Sequence, residues 1–363
     1  MKIAVIGSRG IPNQYGGFEE LAEHLSIFLA KQGHDVYVYN SHKHPYTEDT
    51  YEGVNIVRKF DPENSIGTAG QFIYDLNSIL DSRRKKVDIV LQLGYTSSSV
   101  WYWLMPKNAR VITNMDGLEW MRSKYSSAVK KFLKRAEALA AKHSHLLIAD
   151  NPEIEKYLSK KYQNQKIYIP YGANIPAKFN EGILREYGLE PKKYLLAIAR
   201  IEPENNIETI IKGVLKSKTE MPLILIGNFD TSFGKILKKK YRDTNTQFIS
   251  AVYDKEALNA LRYFSNIYFH GHSVGGTNPS LLEAMACQCV IAAHQNEFNH
   301  NTLDEDAYYF LDDTDIANGI ANQHDEEVEA LFIKNNLTKI RDKFNWRVVS
   351  EQYEVAMQQL SIG

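Results

Sequence analysis

The residue types best suited to chemistry in this 363-residue chain are gathered in GHSVGGTNPSLLEAMACQCVIAA, residues 271–293. The stretch reads as the end of a strand, a glycine turn, a short helix and a second strand. Asn278 can accept from the first N–H groups of the helix, and Pro279 suits the first helical position, where an N–H has no intrahelical partner. Gly275 and Gly276 would let a ligand approach the N–H groups of Thr277 and Asn278, where the helix dipole favours an anion. Leu281, Leu282, Ala284, Met285, Ala286 and Cys287 leave almost no polar face, so the helix is expected to be buried with Glu283 as its only charge. A buried carboxylate needs a partner. Two readings fit equally: a phosphate seat with an acidic acceptor one turn further on, or a tight turn in which Glu283 forms a structural salt bridge.

Four other groups invite a chemical reading. Arg200 follows the apolar run YLLAIA, at the carboxyl end of a strand where open α/β sheets bind ligands, and a guanidinium there suits a diphosphate; an ion pair with Glu202 or Glu204 explains it as well. In NMDGLEW, Asp116 and Glu119 could act as a general base or bind sugar hydroxyls, although an aspartate before glycine is the ordinary residue of a turn. His270 and His272 lie two apart on a strand and point the same way, as a metal pair would, but lack a carboxylate or third histidine in matching spacing. Asp312, Asp313 and Asp315 in FLDDTD resemble a metal-binding acidic motif, but a solvated turn explains them more cheaply, and no metal is expected. Lys130, Lys131, Lys134 and Arg135, with Phe132 and Leu133 between them, make either a solvated helix face or a surface for anionic membranes.

These residues must be positioned by an alternation of strands and helices. Lys2 to Gly7 is an apolar strand, SRGIPNQYGG a loop, and Phe18 to Gln32 an amphipathic helix. The glycines of that loop, Gly16 and Gly17 among them, are too widely spaced for G-x-G-x-x-G, and the next strand ends in Asn40 and Ser41 where a dinucleotide site wants an acid for the ribose. A dehydrogenase is therefore disfavoured. Further strands are expected at 54–57, 88–93, 110–114, 146–149 and 166–169. After the loop PYGANIPAKFN they resume at 194–199, 223–226, 247–250, 267–270 and 290–293. Such alternation implies parallel sheets covered on both faces, in two doubly wound α/β domains of about 1–172 and 173–344.

Composition narrows the setting. The chain is 44% hydrophobic and 24% charged, ordinary for a globular protein, and has no apolar run of the ~18 residues a transmembrane helix needs. The start MKIAVIG reads as a strand rather than a signal peptide, and Cys287 and Cys289, two apart, exclude a disulfide framework; a reducing cytoplasm is expected. The net charge of -1 hides an imbalance, since residues 1–172 hold 23 Lys and Arg against 18 Asp and Glu. An anionic partner surface would meet that half.

Taken together, the N-terminal glycine loop, ARIEPENNIE, IPYGA and PSLLEAMACQCVIA resemble a GT-B glycosyltransferase of family 4. SRGIPNQYGGFEE, NMDGLEW and HGHSVGGTNPSLLEAM resemble its subgroup of rhamnosyltransferases and related polysaccharide-building enzymes. The resemblance implies two Rossmann-like domains facing across a cleft, the second binding a nucleotide-sugar donor and the first an acceptor, with a C-terminal helix, about 345–361, returning to the first. It also implies metal-independent transfer with retention and no cofactor beyond the nucleotide diphosphate sugar. Glu283 matches the glutamate that binds the donor ribose, Arg200 the arginine on the diphosphate, and Gly16 and Gly17 the loop that closes on the phosphates. Two positions depart from the pattern: Gly275 stands where a first glutamate is usual and Asn205 where a lysine is usual. Sugar contacts then fall to Gly276, Thr277 and Asn278. The expected protein is a cytoplasmic transferase, at the inner membrane face if its basic helix meets lipid, that moves a sugar to a saccharide or lipid-linked saccharide, with Arg200, Asp116 and Glu119 as its catalytic residues; no nucleic acid is involved. A GT-B epimerase and a non-catalytic nucleotide-sugar-binding subunit are the alternatives.

Overall fold

In the computed structural model, which describes all residues except Tyr15, Ser123, Gln323, His324 and Gly363, the chain divides into two compact units. Unit 1 is Met1–Tyr171 together with the last helix, Trp346–Ile362; unit 2 is Gly172–Asn345. Each is a parallel sheet with helices between its strands, which matches the two doubly wound domains read from the sequence.

Unit 1 contains β1 (Lys2–Ile6), β2 (Asp35–Ser41), β3 (Thr50–Tyr51), β4 (Val54–Lys59), β5 (Ile89–Leu93), β6 (Arg110–Asn114), β7 (Leu146–Ala149) and β8 (Gln165–Tyr168), ordered β3-β4-β2-β1-β5-β6-β7-β8. Only β3 runs antiparallel, in a short hairpin with β4. The central strands are apolar throughout because helices cover both faces: Ile3, Ala4, Val5 and Ile6 are all fully buried. β1 pairs with β2 through Ile3 opposite Val36 and with β5 through Ile3 opposite Ile89, so the strand order reverses between β1 and β5. The reversal opens a crevice at the strands' carboxyl ends, where this class of sheet binds ligands.

Unit 2 contains β9 (Leu195–Ile198), β10 (Leu223–Ile226), β11 (Thr246–Ile249), β12 (Ile267–His270), β13 (Ile291–His294) and β14 (Tyr308–Phe310), ordered β11-β10-β9-β12-β13-β14. Its reversal lies between β9 and β12. Leu195, Ile210, Ile211, Leu223, Phe269 and Ile316 fill one side of the sheet. The sequence pattern did not announce β3 or β14, which have two and three residues and too little length to show a period.

The last helix is fastened to unit 1 by both apolar and polar contacts. Trp346 stacks on His24 with ring centroids 4.6 Å apart, the Asn114 side-chain amide donates to the Tyr353 hydroxyl at 2.8 Å, and His34 meets Glu354 at 2.9 Å.

One buried carboxyl near the unit 1 crevice has a consequence for stability. Asp75, on the helix Gly70–Lys85, is 3% exposed and accepts from the Ser97 hydroxyl at 2.6 Å. Burial raises its pKa from 3.8 to about 7, against the lowering effect of the Ser97 bond and with a further rise from Asp61. Below the unfolded pKa the carboxyl is protonated in both states. Between about 4 and 7 the unfolded chain releases the proton while the folded one keeps it, so folding weakens as pH rises through that window. Asp75→Asn removes this titration. Thermal melts from pH 4.5 to 8 should show the wild type losing stability relative to the variant by an amount on the order of a few kcal/mol; parallel curves would show that Asp75 titrates normally.

Candidate functional site

Two turns meet at the crevice of unit 2. The first leaves β9 and carries Arg200 to Asn206. The second leaves β12 and carries Gly271 to Asn278. They are joined backbone to backbone: the Glu204 carbonyl accepts from the Ser273 N–H at 3.0 Å and its hydroxyl at 2.8 Å, and the Asn206 side chain donates to the Gly271 carbonyl at 2.8 Å. Gly271 is required at this crossing, since a Cβ there would collide with the Asn205 carbonyl oxygen.

Arg200 is exposed at the end of its strand, and among the described residues its guanidinium has no carboxylate partner; the ion pair with Glu202 or Glu204 does not form. Asn205 faces the other way. It is 4% exposed and its amide donates to the Arg200 carbonyl at 2.7 Å, so it holds the turn that presents Arg200 rather than offering a group to a ligand. The turn thus carries one free cation where a lysine at 205 would have supplied a second.

The glycine turn behaves as an anion seat should. Gly275 has φ +143°, a conformation that L side chains rarely adopt, and open space where a Cβ would stand. Among the described residues the N–H groups of Val274, Gly275, Gly276 and Asn278 have no protein acceptor. Thr277 is buried. Asn278 caps the helix Pro279–Ala286 by accepting from the Ser280 N–H at 2.9 Å, with Pro279 in the first turn, as its sequence signalled. The glycine turn therefore offers backbone donors and a helix amino end, on a loop hydrogen-bonded to the turn that carries Arg200.

Glu283 requires a correction. The carboxylate expected to be buried is about one-third exposed, and the buried charge is its partner: Arg262, on the helix Lys255–Tyr263, has a side chain 3% exposed and pairs with the Glu283 carboxylate through Nη2. Arg262 also reaches the Ser280 hydroxyl at 3.4 Å, which meets the Tyr268 hydroxyl at 2.7 Å. Arg262 was missed by the sequence reading, although its place on the apolar face with Ala257, Ala260 and Leu261 was visible, and a cation on such a face implies an acid nearby. Because Glu283 keeps an open side, the ion pair and a ligand contact are compatible.

Behind the turn, His270 and His272 stack with centroids 4.4 Å apart, a ring-on-ring arrangement rather than a chelating one. Burial, then the neighbouring His272 and His294, push the His270 pKa well below that of a free imidazole. Asn296 and Asn299 both donate to the His272 carbonyl, at 3.0 and 3.1 Å, and fix the root of the turn. Asp312 and Asp315 form a reciprocal helix cap, while Asp313 pairs with Lys216 at 3.2 Å. Among the described residues no group of three or more His, Cys, Asp or Glu is arranged to hold a metal ion.

In unit 1 the loop after β1 is held by Asn40, whose amide donates to the Ile11 carbonyl at 2.7 Å while its oxygen accepts the Ile11 N–H at 3.0 Å. The residue that argued against a dinucleotide site thus has a structural task. Gly16 precedes and Gly17 begins the helix Gly17–Lys31, and Tyr171 donates to the Gly17 carbonyl. After β6, Asp116 takes a left-handed φ of 53° and its N–H donates to the Asn114 side chain at 2.9 Å. Glu119 pairs with Arg122 at 2.7 Å. The turn is anchored from beneath by Glu137, which sequence reading passed over: its buried carboxylate accepts from Trp120 Nε1 at 2.9 Å, Tyr157 at 2.8 Å, and Tyr162 and Lys161 at 2.7 Å each.

Comparison with known proteins bears on the fold. Residues 181–329 match the family of glycosyl transferases group 1, and residues 1–174 match a domain of unknown function, DUF1972. Sucrose-phosphate synthase from Thermosynechococcus elongatus superposes with a TM-score of 0.81 at 18% identity, covering 99% of this chain and 98% of that one. Anabaena Alr3699/HepE in complex with UDP and glucose gives 0.75 at 13% identity, covering 99% and 100%, and the Escherichia coli trehalose-6-phosphate structure with UDP-2-fluoro glucose gives 0.72 at 11%, covering 99% of each. The uncharacterized protein L515 of Acanthamoeba polyphaga mimivirus is 26% identical over 192 residues, 48% of this chain but only 26% of that protein's length. The fold is GT-B, and residues 181–329 of unit 2 are similar to the glycosyl transferases group 1 family.

The pairing of Arg262 with Glu283 can be tested in the free protein. Glu283→Gln leaves Arg262 buried without an anion, so the melting temperature should fall, by the equivalent of about 3 kcal/mol. Arg262→Met, which removes the cation and keeps an apolar side chain of similar length, should recover most of that loss when combined with Glu283→Gln. A double variant as unstable as Glu283→Gln alone would show that the pair is not what the substitution breaks.

Proposed function

We propose that the chain is a metal-independent retaining glycosyltransferase that moves a sugar from a nucleoside diphosphate donor held on unit 2. The observation that carries this reading is that, among the described residues, the Arg200 guanidinium has no carboxylate partner and sits on a turn locked to a glycine loop in which the N–H groups of Val274, Gly275, Gly276 and Asn278 have no protein acceptor. As the glycosidic bond to the donor breaks, negative charge grows on the leaving diphosphate. Fixed donors already pointing at that place stabilise it without reorganising. No covalent nucleophile is needed. The open side of Glu283 is read as an acceptor for the donor ribose, and Gly276, Thr277 and Asn278 as the sugar's contacts.

Complexes of fold neighbours with UDP and UDP-glucose make uridine diphosphate sugars the first donors to test. Rhamnose is the sugar that the subgroup resemblance suggests. The acceptor is read as a saccharide or lipid-linked saccharide of polysaccharide assembly, met by the Gly16–Gly17 loop and by Asp116 in unit 1 at a cytoplasmic membrane face. Asp116 and Glu119, the latter paired with Arg122, are read as the candidates for proton transfer. No helix among the described residues is long and apolar enough to cross a membrane. The inward turn of Asn205, which leaves the turn with a single cation, favours one second reading: a subunit that binds nucleotide-sugar without turning it over.

Calorimetry on Arg200→Ala tests the site. Loss of a charge-assisted contact should weaken a nucleoside diphosphate by roughly 10- to 100-fold while the bare nucleoside is little affected. Equal losses for both ligands would place Arg200 away from the diphosphate. Radiolabelled donor incubated with lipid-linked and free saccharides separates transfer from binding alone.

A further inference from the structure

Unit 1 carries a surface that neither fold nor donor site requires. Three elements meet there: the start of the helix Gly70–Lys85, the short helix Ser99–Leu104, and the helix Ser127–His143. Phe72 and Phe132 pack with centroids 5.9 Å apart, Trp101 donates to the Phe72 carbonyl at 2.9 Å, and Tyr102 stacks on His143 at 3.7 Å. On this joined framework Trp103 is 58% and Ile73 38% exposed, and Ile66, at the end of the short helix Glu63–Ile66 that packs against Gly70–Lys85, is 52% exposed. Large apolar side chains left in water on adjoining elements are unusual and mark an interaction site.

The charges beside them have one sign. Lys131, Lys134 and Arg135 are exposed on the same helix as Phe132, with Lys134 lying 4.2 Å over the Trp120 ring. The carboxylates of these helices are withdrawn: Asp75 is buried, Glu137 is buried against Lys161, and Asp81 is paired with Lys59 at 2.7 Å. A face that was merely solvated would have no reason to turn every acid inward and an indole outward. We infer that this face docks on an anionic lipid bilayer, with Lys131, Lys134 and Arg135 on the headgroups and Trp103, Ile66 and Ile73 seated at the acyl boundary. The indole suits that boundary, and a basic patch with apolar wedges gives reversible adsorption without a spanning helix. The inference deepens the proposed use of a lipid-linked acceptor by naming the surface that would bring unit 1 to it.

Sedimentation of the full chain with vesicles tests this without donor or acceptor, so its failure is separate from any failure of the transfer assay. With 30 mol% phosphatidylglycerol we expect binding that weakens as salt rises, and little binding to pure phosphatidylcholine. The triple variant Lys131→Gln, Lys134→Gln, Arg135→Gln should lose about 100-fold in affinity, since each cation near an anionic surface contributes about one factor of five. Trp103→Ala should weaken binding with its salt dependence kept, and in the wild type brominated lipid should quench the tryptophan fluorescence that Trp103→Ala no longer loses. Nucleoside diphosphate affinity, measured on each variant, should be unchanged and reports that it is folded. Equal binding to both vesicle types, no binding to either, or a triple variant that binds like wild type would overturn the inference. So would light scattering that shows a dimer dissolved by Trp103→Ala, because the face would then be covered by a second copy of the chain.

Discussion

The crossing of the β9 and β12 turns is the constraint on which the rest of unit 2's site depends. Gly271 has no side chain because the Asn205 carbonyl occupies that space, and the Asn206 amide and the Glu204 carbonyl then hold the two turns in one position. Two consequences follow from the one crossing. The guanidinium of Arg200 is presented outward while Asn205 is drawn inward beneath it, and the glycine turn begins from a fixed root, so that its N–H groups point at a defined place. Preorganised donors stabilise developing charge better than mobile ones because nothing has to be reoriented as the charge appears.

The short helix that follows is held by a charge rather than by apolar packing alone. Arg262 is buried deeply enough that its desolvation must be balanced, and Glu283 balances it while keeping about a third of its own surface open. One carboxylate can then serve both the fold and a ligand. Such double use makes mutational loss at Glu283 ambiguous by itself, since stability and binding would fall together.

Unit 1 repeats the principle with different residues. Its glycine loop is tied by the reciprocal bonds of Asn40, and its Asp116 turn rests on Trp120, which donates to the four-donor cage around Glu137. Loops carry the candidate chemistry, and buried polar groups from the scaffold fix the loops. The exposed Trp103 and the basic helix lie on neighbouring elements that are joined through Phe72, which packs on Phe132 while its carbonyl accepts from Trp101.

The doubly wound α/β class, nearly every central strand, the cap at Asn278 and the place of Arg200 at a strand end were legible in the sequence. They depend on local regularities: continuous apolar runs, punctuation by glycine and proline, and the capping preference of a short polar side chain. The edge strands Thr50–Tyr51 and Tyr308–Phe310 were not, being too short to show a period. The partner of Glu283 could not be read either, because Arg262 lies 21 residues away on another helix and a charge on an apolar face announces that it needs a partner without saying which. The inward turn of Asn205, the cage around Glu137 and the one-signed face of unit 1 belong to the same class. Each depends on side chains brought together from distant parts of the chain, and spacing along a sequence carries no record of which buried polar groups will meet. What the sequence determined by itself was the sheet and the kind of groups at its ends; which of those groups remain unpaired and open to a ligand was decided only by the tertiary structure, because pairing in a low-dielectric interior is set by distance in space.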